Sequence, residues 1–215
     1  MSIIYFPSCK FTAKFPEVSI KIKQYMADRH GAEVAGCCKR RLDSLTEEDT
    51  IVYICNTCAA LCEEGSRAGK TVSVWEIILD DPDFLFNHTK GRSMTVQDCW
   101  RTYDNKELQD AVRALLQHMR IEAVEQAGNR EKTRYCGISL YQTLPERYDL
   151  LAPKRFVDDA KDLFIPCPEE EQKVLMQAHC DQIGTEEVLC TCVACVNGID
   201  LGGRSGVHLA ELLFS

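Results

Sequence analysis

The cysteines of this chain occur twice in the same order, each time within the same series of predicted strands and helices. Each half has a strand that leads to a cysteine, a helix, a second cysteine motif, and a strand that runs into Cys-x-x-Cys. The first half closes with "VSVWEIIL" and the second with "VHLAELLF". The matching cysteines are Cys9, Cys37, Cys38, Cys55 and Cys58 in the first half, and Cys99, Cys136, Cys192 and Cys195 in the second. Duplication of this kind predicts two related structural units.

Apolar periodicity predicts alternating strands and helices in both halves. In the first half, "SIIYFP" and "TIVYIC" predict strands and residues 16–31 predict a helix. In the second half, "MTVQDC", "KTRYCGIS" and "EVLCTC" predict strands, and residues 105–128 and 168–184 predict helices. Because strands and helices alternate, the sequence predicts an α/β fold made of two repeated α/β units.

A polar, turn-rich stretch, "NHTKGRS" at 87–93, separates the two halves. We therefore place one unit at 1–92 and the other at 93–215. Ligands of α/β folds usually bind beyond the carboxyl ends of the strands, which is where the cysteines follow the predicted strands. We expect the cysteines of each unit to gather at that edge.

The cysteine count of 13 is the unusual feature of the composition. The start of the chain, "MSIIYFPSCK", has no charged segment, apolar core or cleavage site typical of a secretion signal, and no apolar stretch reaches about 18 residues. We therefore expect a cytoplasmic protein with no direct membrane span and with reduced thiols, which favours metal binding or thiol redox chemistry. A net charge of −8 argues against nucleic acid as a partner.

Cys37 and Cys38 are adjacent, and neighbouring cysteines do not readily form a disulfide with each other. Together with the other three cysteines of the first half they offer five thiols, one more than a tetrahedral zinc ion uses. Zinc on four of them stays possible. A fifth thiolate favours a polynuclear iron–sulfur cluster as the common partner of the pair.

The order of a single cysteine, then Cys-Cys, then Cys-x-x-Cys, present twice, resembles the CCG cysteine-rich domain family, as found in heterodisulfide reductases. The resemblance spans essentially the whole chain, including the "HLAELL" tail. Related domains occur in iron–sulfur subunits of glycolate oxidase, in lactate-utilisation proteins and in some succinate or fumarate reductases.

The resemblance implies small α/β units whose cysteines hold an unusual, non-cubane 4Fe–4S cluster, with two such clusters acting together to reduce a disulfide. It implies electrons delivered by a partner iron–sulfur or flavin subunit. The implied ligands of the first cluster are Cys9, Cys37, Cys38, Cys55 and Cys58, and those of the second are Cys99, Cys136, Cys192 and Cys195.

Two departures from that pattern bear on the sites. Lys39 stands where the family has glycine after the first cysteine pair, and Tyr135 stands where the second pair has its first cysteine. The second site therefore has four matched ligands and suits an ordinary 4Fe–4S cluster, zinc or an altered non-cubane cluster. Cys190 is a candidate to complete it.

The function expected from this resemblance is that of an iron–sulfur oxidoreductase component that passes electrons from a partner protein to a disulfide-containing small molecule or related acceptor. A zinc-stabilised scaffold or interaction subunit is the alternative, and a metal-free dithiol reductase is a third reading. The catalytic residues are not identified by the sequence.

Several further side chains have two readings each. Cys62 is either a packed thiol or a sixth thiol of the first site, whereas Cys167 and Cys180 are interpreted as structural. Arg101 could pair with an anionic substrate, stabilise thiolate charge or lie solvated at the surface. His208 follows a glycine-rich turn that could approach the cluster region.

Overall fold

Two four-stranded parallel β-sheets form the framework of the protein. The structure is a computed structural model that describes residues 2–89 and 91–215. All strands of the first sheet lie before residue 74, and all strands of the second begin at residue 93 or later. The α/β fold predicted from the alternating pattern is confirmed.

The first sheet has the strand order β2-β1-β3-β4. Its strands are β1 (Ser2–Phe6), β2 (Glu33–Val34), β3 (Asp49–Tyr53) and β4 (Lys70–Ser73). Its helices are α1 (Cys9–Lys14), α2 (Pro16–His30), α3 (Asn56–Gly65) and α4 (Val74–Leu79).

The second sheet has the equivalent order β6-β5-β7-β8. Its strands are β5 (Ser93–Gln97), β6 (Glu122–Val124), β7 (Glu187–Cys190) and β8 (Ser205–His208). The helices of this half are α5 (Lys106–His118), α6 (Tyr148–Leu151), α7 (Glu169–Cys180), α8 (Val193–Leu201) and α9 (Leu209–Leu213). Since every pairing in both sheets is parallel, the carboxyl ends of the strands in each sheet share one edge.

Helix α2 shows how local residues set the limits of an element. Pro16 is its first residue, where the missing N–H costs nothing. Gly31 ends the helix in a left-handed conformation, and its N–H donates to the carbonyls of Ala27 and Met26. The buried side chains of Ile22 and Met26 lie one turn apart and fix the helix to the core.

Both halves finish with a strand that turns directly into a short capped helix. Ser73 and Glu76 form a capping box at the start of α4, and His208 and Glu211 form one at the start of α9. The predicted strand-to-helix segment "TVSVWEIIL" therefore has its counterpart at the end of the chain.

The structure corrects the helix predicted over residues 105–128. Helix α5 ends at His118, Arg120 adopts a positive φ of 59°, and residues 122–124 form β6. Parallel pairing of β6 with β5 completes the edge of the second sheet. The left-handed residue separates the two elements, and a three-residue strand is too short to show a period of two.

The strand predicted from "KTRYCGIS" is also wrong. Residues 130–132 and 137–141 form 3₁₀ turns instead. Gly137 has a φ of 57°, which is incompatible with an extended strand at this position.

A long connection at residues 141–167 carries α6 and a π-helical turn at Lys154–Asp158. Although it belongs to the second half, it packs on α3 of the first. The carboxylate of Glu64 accepts the backbone N–H of Lys154 at 2.7 Å and that of Arg155 at 2.9 Å.

The two halves share one continuous apolar core. The His208 ring of the second half lies 4.8 Å from the Phe11 ring, 5.4 Å from the Phe15 ring and 5.9 Å from the Trp75 ring, all in the first half. Among the described residues, no helix has the length and apolar character needed to cross a membrane.

Candidate metal centre

The two Cys-x-x-Cys motifs occupy the same place in the two halves. Cys55 and Cys192 are the N-cap residues of α3 and α8, and Cys58 and Cys195 are the third residues of those helices. The unpaired backbone N–H groups of a helix N-terminus favour negative charge and stabilise thiolates. Each motif therefore presents two sulfurs where a helix assists their ionisation.

A further cysteine follows the first strand of each half. Cys9 is the first residue of α1, and Cys99 immediately precedes the 3₁₀ turn at Trp100–Thr102. Ser8, the N-cap of α1, has a positive φ of 60°, a conformation that costs a non-glycine residue roughly 1–3 kcal/mol. The strain lies directly beside a predicted ligand.

The five predicted thiols of the first site line one cavity of about 200 Å³, together with Tyr148 and other side chains. These thiols belong to Cys9, Cys37, Cys38, Cys55 and Cys58. The structure thus brings together residues that are separated by up to 49 positions in the chain (58 − 9 = 49). Cys9 is exposed and Cys58 is buried, so the site reaches from the surface into the core.

In the first site, the Sγ atoms of Cys38 and Cys58 lie 3.4 Å apart. Hydrogen bonds from the thiols of Cys58 and Cys62 lower the pKa of Cys38 to about 3. A hydrogen bond from Cys58 also lowers the pKa of Cys55, to about 6. Hydrogen bonds with Cys38 and Cys55, together with burial, raise the pKa of Cys58, and burial raises that of Cys9. Cys38 and Cys55 are therefore the thiolates of the first site, and a thiolate is the form that binds metal.

Cys62 lies in the same group, because its thiol contacts that of Cys38. It is 1% exposed and does not line the cavity. Of the two interpretations from the sequence, the structure favours a packed thiol, which contacts Cys38 on the side away from the cavity.

The second site is smaller and closed to solvent. The Sγ atoms of Cys99, Cys192 and Cys195 all lie within 4.8 Å of one another, and the Cys136 Sγ lies 3.5 Å from that of Cys99. None of the four is more than 4% exposed. Four sulfurs at about 2.3 Å from one tetrahedral ion are about 3.8 Å apart. The group of three cysteines is close to this spacing, whereas Cys136 lies near Cys99 but outside that group.

Gly137 makes this close packing possible. A Cβ at this position would lie 1.8 Å from the carbonyl oxygen of Ala194 and 2.8 Å from the Cα of Cys195. The glycine therefore allows the Cys136 loop to approach the N-terminus of α8. Lys39 holds the equivalent place in the first half, where a 3₁₀ turn forms and the Lys39 ammonium lies 4.3 Å from the Tyr148 ring centroid.

Tyr135 is part of the core beside the second site. Its hydroxyl lies 3.5 Å from the Met176 Sδ, and its ring stacks on His179 with centroids 4.1 Å apart. Burial and the neighbouring Cys195 thiolate raise the pKa of Tyr135 far above its usual value, so the phenol stays neutral. Tyr135 is therefore an uncharged aromatic contact beside the second site.

The other cysteines lie outside both groups of predicted ligands. The Cys190 thiol lies 3.9 Å from the Val188 carbonyl oxygen, and the Cys180 thiol 3.6 Å from that of Ile199. Cys167 is half-buried, and its backbone N–H donates to Tyr141.

The two sites are neighbours across the interface between the halves. The side-chain N–H of Asn56, next to Cys55, donates to the Thr191 hydroxyl, next to Cys192, at 3.3 Å. Both side chains are buried. A direct hydrogen bond therefore joins the two Cys-x-x-Cys loops.

Sequence reasoning did not identify Ser8, Asn56 or Tyr148 as residues of the site region. Asn56 sits inside a recognised motif, so its polar side chain was an available signal. Tyr148 lies on the long connection of the opposite half, and no spacing rule relates it to the first site.

Comparisons with protein-family models, curated proteins and solved structures found no match to this chain. The likeness to CCG domains therefore rests on the order of the cysteines alone.

Proposed function

We propose that this protein is an iron–sulfur oxidoreductase component that passes electrons from a partner protein to a disulfide or a related acceptor. The observation that carries the proposal is the single cavity lined by five cysteines in the first half. One tetrahedral zinc ion uses four ligands, whereas several irons give five thiolates, including the adjacent Cys37 and Cys38, separate binding positions.

The surroundings of the cavity fit a negatively charged thiolate group. Lys10 and Lys39 line it, and among the described residues no carboxylate does. The Lys39 ammonium helps to lower the pKa of Cys38, after the larger effect of the Cys58 and Cys62 hydrogen bonds. The donor set and its charge balance support a bound 4Fe–4S cluster, and the extra thiol supports a non-cubane form.

The proposed reaction takes one disulfide, two electrons and two protons to two thiols. A bound cluster supplies storage for single electrons, and an electron-donating iron–sulfur or flavin protein supplies both electrons in sequence. The cavity opens to the surface at Cys9, which gives an acceptor access. The expected location of such a protein is the cytoplasm, where thiols stay reduced.

The second site carries a different candidate occupant. Its three closely spaced buried thiols, with Cys136 beside Cys99 as a fourth donor, favour one zinc ion with a structural role. A second 4Fe–4S cluster on the same four cysteines is the other possibility. With zinc in the second site, unit 1–92 would carry the redox function and the metal of unit 93–215 would stabilise the fold.

The first test is the iron, acid-labile sulfide and zinc content of the full chain purified without oxygen, with an EPR spectrum of the same sample. About four irons with equal sulfide and one zinc per chain would support one cluster and one structural ion. About eight irons would support two clusters. Zinc without sulfide, repeated after iron–sulfur reconstitution, would support the scaffold function and contradict the proposal.

Two cysteine variants assign the metal to the first site. We expect Cys58→Ser to lose the cluster, because the thiol lies in the centre of the first site. Cys180→Ser is the matched control, since Cys180 is also buried but lies outside both sites. Iron loss in both variants would point to general unfolding, whereas iron retained in Cys58→Ser would refute this ligand assignment.

A further inference from the structure

Arg101 is a buried cation beside the second cysteine site. It lies in the 3₁₀ turn that follows Cys99 and is 5% exposed. Its Nε–H is buried and has no hydrogen-bond partner. A guanidinium without compensation in such a place is costly, so something negative must stabilise it.

Two other arginines of this region differ from Arg101 because each has a carboxylate partner. Arg113 is 13% exposed, and the buried Arg155 leaves its Nε and Nη1 without a hydrogen bond. Arg113 forms an ion pair with Asp98 at 2.6 Å, and Arg155 forms one with Asp104 at 2.6 Å. Within residues 2–89 and 91–215, Arg101 has no carboxylate partner of this kind. Because Arg101 is buried, it is not a solvated surface side chain, which was one of its interpretations from the sequence.

The turn that carries Arg101 lies between the two cysteine sites. The Trp100 N–H donates to the Tyr135 carbonyl, beside Cys136, at 2.7 Å, and the turn packs on α3, which begins directly after Cys55. Burial acts to lower the pKa of Arg101, but the thiolates of Cys136, Cys192, Cys99 and Cys55, in that order, raise it above its usual value. Three of these belong to the second site, and Cys55 belongs to the first. The remaining close contact is the Phe156 ring, whose centroid lies 5.8 Å from the guanidinium carbon.

We propose that Arg101 is the shared counter-cation of the two cysteine sites and electrostatically favours the more negatively charged state of whatever metal group each site binds. Arg101 is an electrostatic residue and not a catalytic one. For the redox behaviour of the first site the inference rests on the proposed function, but the effect on metal retention does not.

The size of the effect follows from Coulomb's law. Removing a unit charge from a partly screened protein interior shifts a charge-dependent equilibrium at a neighbouring site by roughly tenfold. We expect neutral variants to shift the equilibrium for reduction of the first-site cluster about tenfold against reduction, which is a fall of about 59 mV for a one-electron couple. The second site should lose affinity for its divalent ion by a similar factor.

The experiment compares the full-length wild type with Arg101→Gln, Arg101→Met and Arg101→Lys. EPR-monitored redox titration gives the potential of the cluster, and competition between Co²⁺ and a chelator gives the metal affinity by the sulfur-to-cobalt absorption band. Arg155→Lys is the control, because Arg155 is equally buried but paired with a carboxylate. Lysine at position 101 keeps the charge and should stay within about threefold of the wild type.

Effects of the neutral variants at both sites, with Arg101→Lys and Arg155→Lys close to the wild type, would support the shared role. An effect confined to the second site would overturn it, since a local structural defect next to Cys99 explains that result. If the neutral variants do not fold, Arg101→Lys decides, because a tenfold change in either readout with the charge retained contradicts an electrostatic role. If no iron is found, the proposed function fails while the Co²⁺ affinities still test Arg101.

Discussion

Gly137 is the residue where the backbone is least able to accept a side chain. It combines a φ of 57° with a contact that would place a Cβ 1.8 Å from the Ala194 carbonyl oxygen. We predict that Gly137→Ala lowers the free energy of unfolding by about 3 kcal/mol, since a left-handed conformation and overpacking both contribute. Urea denaturation of the two proteins measures the difference.

Gly31→Ala separates these two contributions. Gly31 has a φ of 61°, but a Cβ there would meet nothing within 4 Å. The expected cost is about 1 kcal/mol from the backbone conformation alone. Equal costs for the two variants would show that the contact with Ala194 relaxes freely and that Gly137 does not set the spacing of the second site.

His208 makes the stability depend on pH. Burial lowers the pKa of His208 to about 4, although the Cys192 thiolate acts in the opposite direction. The ring is surrounded by aromatic side chains, and its Nδ1 accepts the Ala210 N–H, which requires the neutral form.

Above pH 6.5 the histidine is neutral in both folded and unfolded chains, and its contribution to stability is complete. Between pH 6.5 and 4 the unfolded chain binds a proton that the folded chain excludes, so stability falls with pH, by about 3 kcal/mol in all. From about pH 7 to pH 4.5, we predict that the free energy of unfolding falls by roughly 2–3 kcal/mol less in His208→Asn than in the wild type. Asparagine does not titrate in this range and still offers an N-cap acceptor. Urea denaturation at both pH values measures the free energy of unfolding of each protein. An equal fall in the wild type and in His208→Asn would rule out this role of His208.

At the scale of elements, the junction of β5, α5 and the Cys99 turn depends on a buried ion pair. The Asp98 carboxylate accepts two hydrogen bonds from Arg113, at 2.7 and 2.6 Å, and a third from the Arg130 N–H at 2.8 Å. Its side chain is 5% exposed. Removing the Asp98 charge would weaken three hydrogen bonds to a buried carboxylate and leave Arg113 with Glu125, which is 45% exposed, as its carboxylate partner.

We therefore predict that Asp98→Asn lowers the free energy of unfolding by about 3 kcal/mol. Asp110→Asn is the control, because Asp110 also pairs with two cations but is 44% exposed. Its expected cost is below about 1 kcal/mol. Thermal and urea denaturation give both values, and similar costs would mean that the Asp98 pair is not effectively buried.

The same scale shows what the sequence predicts and what it does not. Strands that lead to a cysteine are local features, and the sequence correctly predicts those before Cys55 and Cys192. Strand β6 was missed because three residues do not show a period. The position of Arg101 was left open, since its burial depends on Phe156 and on sulfurs from both halves.

At the scale of the whole molecule, buried side chains of the two halves pack against each other, so we expect the halves to unfold together. Trp75 packs in the first half beside His208 of the second, and Trp100 packs in the second half beside Phe156. These two are the only tryptophans in the sequence, so each half has its own fluorescent probe. Small domains with a continuous core usually unfold in one cooperative step.

We predict that single-tryptophan variants, Trp75→Phe and Trp100→Phe, show the same urea midpoint by fluorescence as by circular dichroism. Each variant then reports on the opposite half through the tryptophan that remains. Within either variant, a fluorescence transition that precedes or follows the loss of secondary structure would show that the halves unfold independently.

Tyr148 forms part of the wall of the first cavity, and it is synthesised after the other residues that line the cavity. A ribosome makes the chain from its amino end, so all five thiols of the first site emerge well before Tyr148 does. The nascent first half therefore passes through a stage in which its thiols are present and one wall of the cavity is not. In the second site, Cys99 and Cys136 emerge well before Cys192 and Cys195, so its set of thiols is completed late.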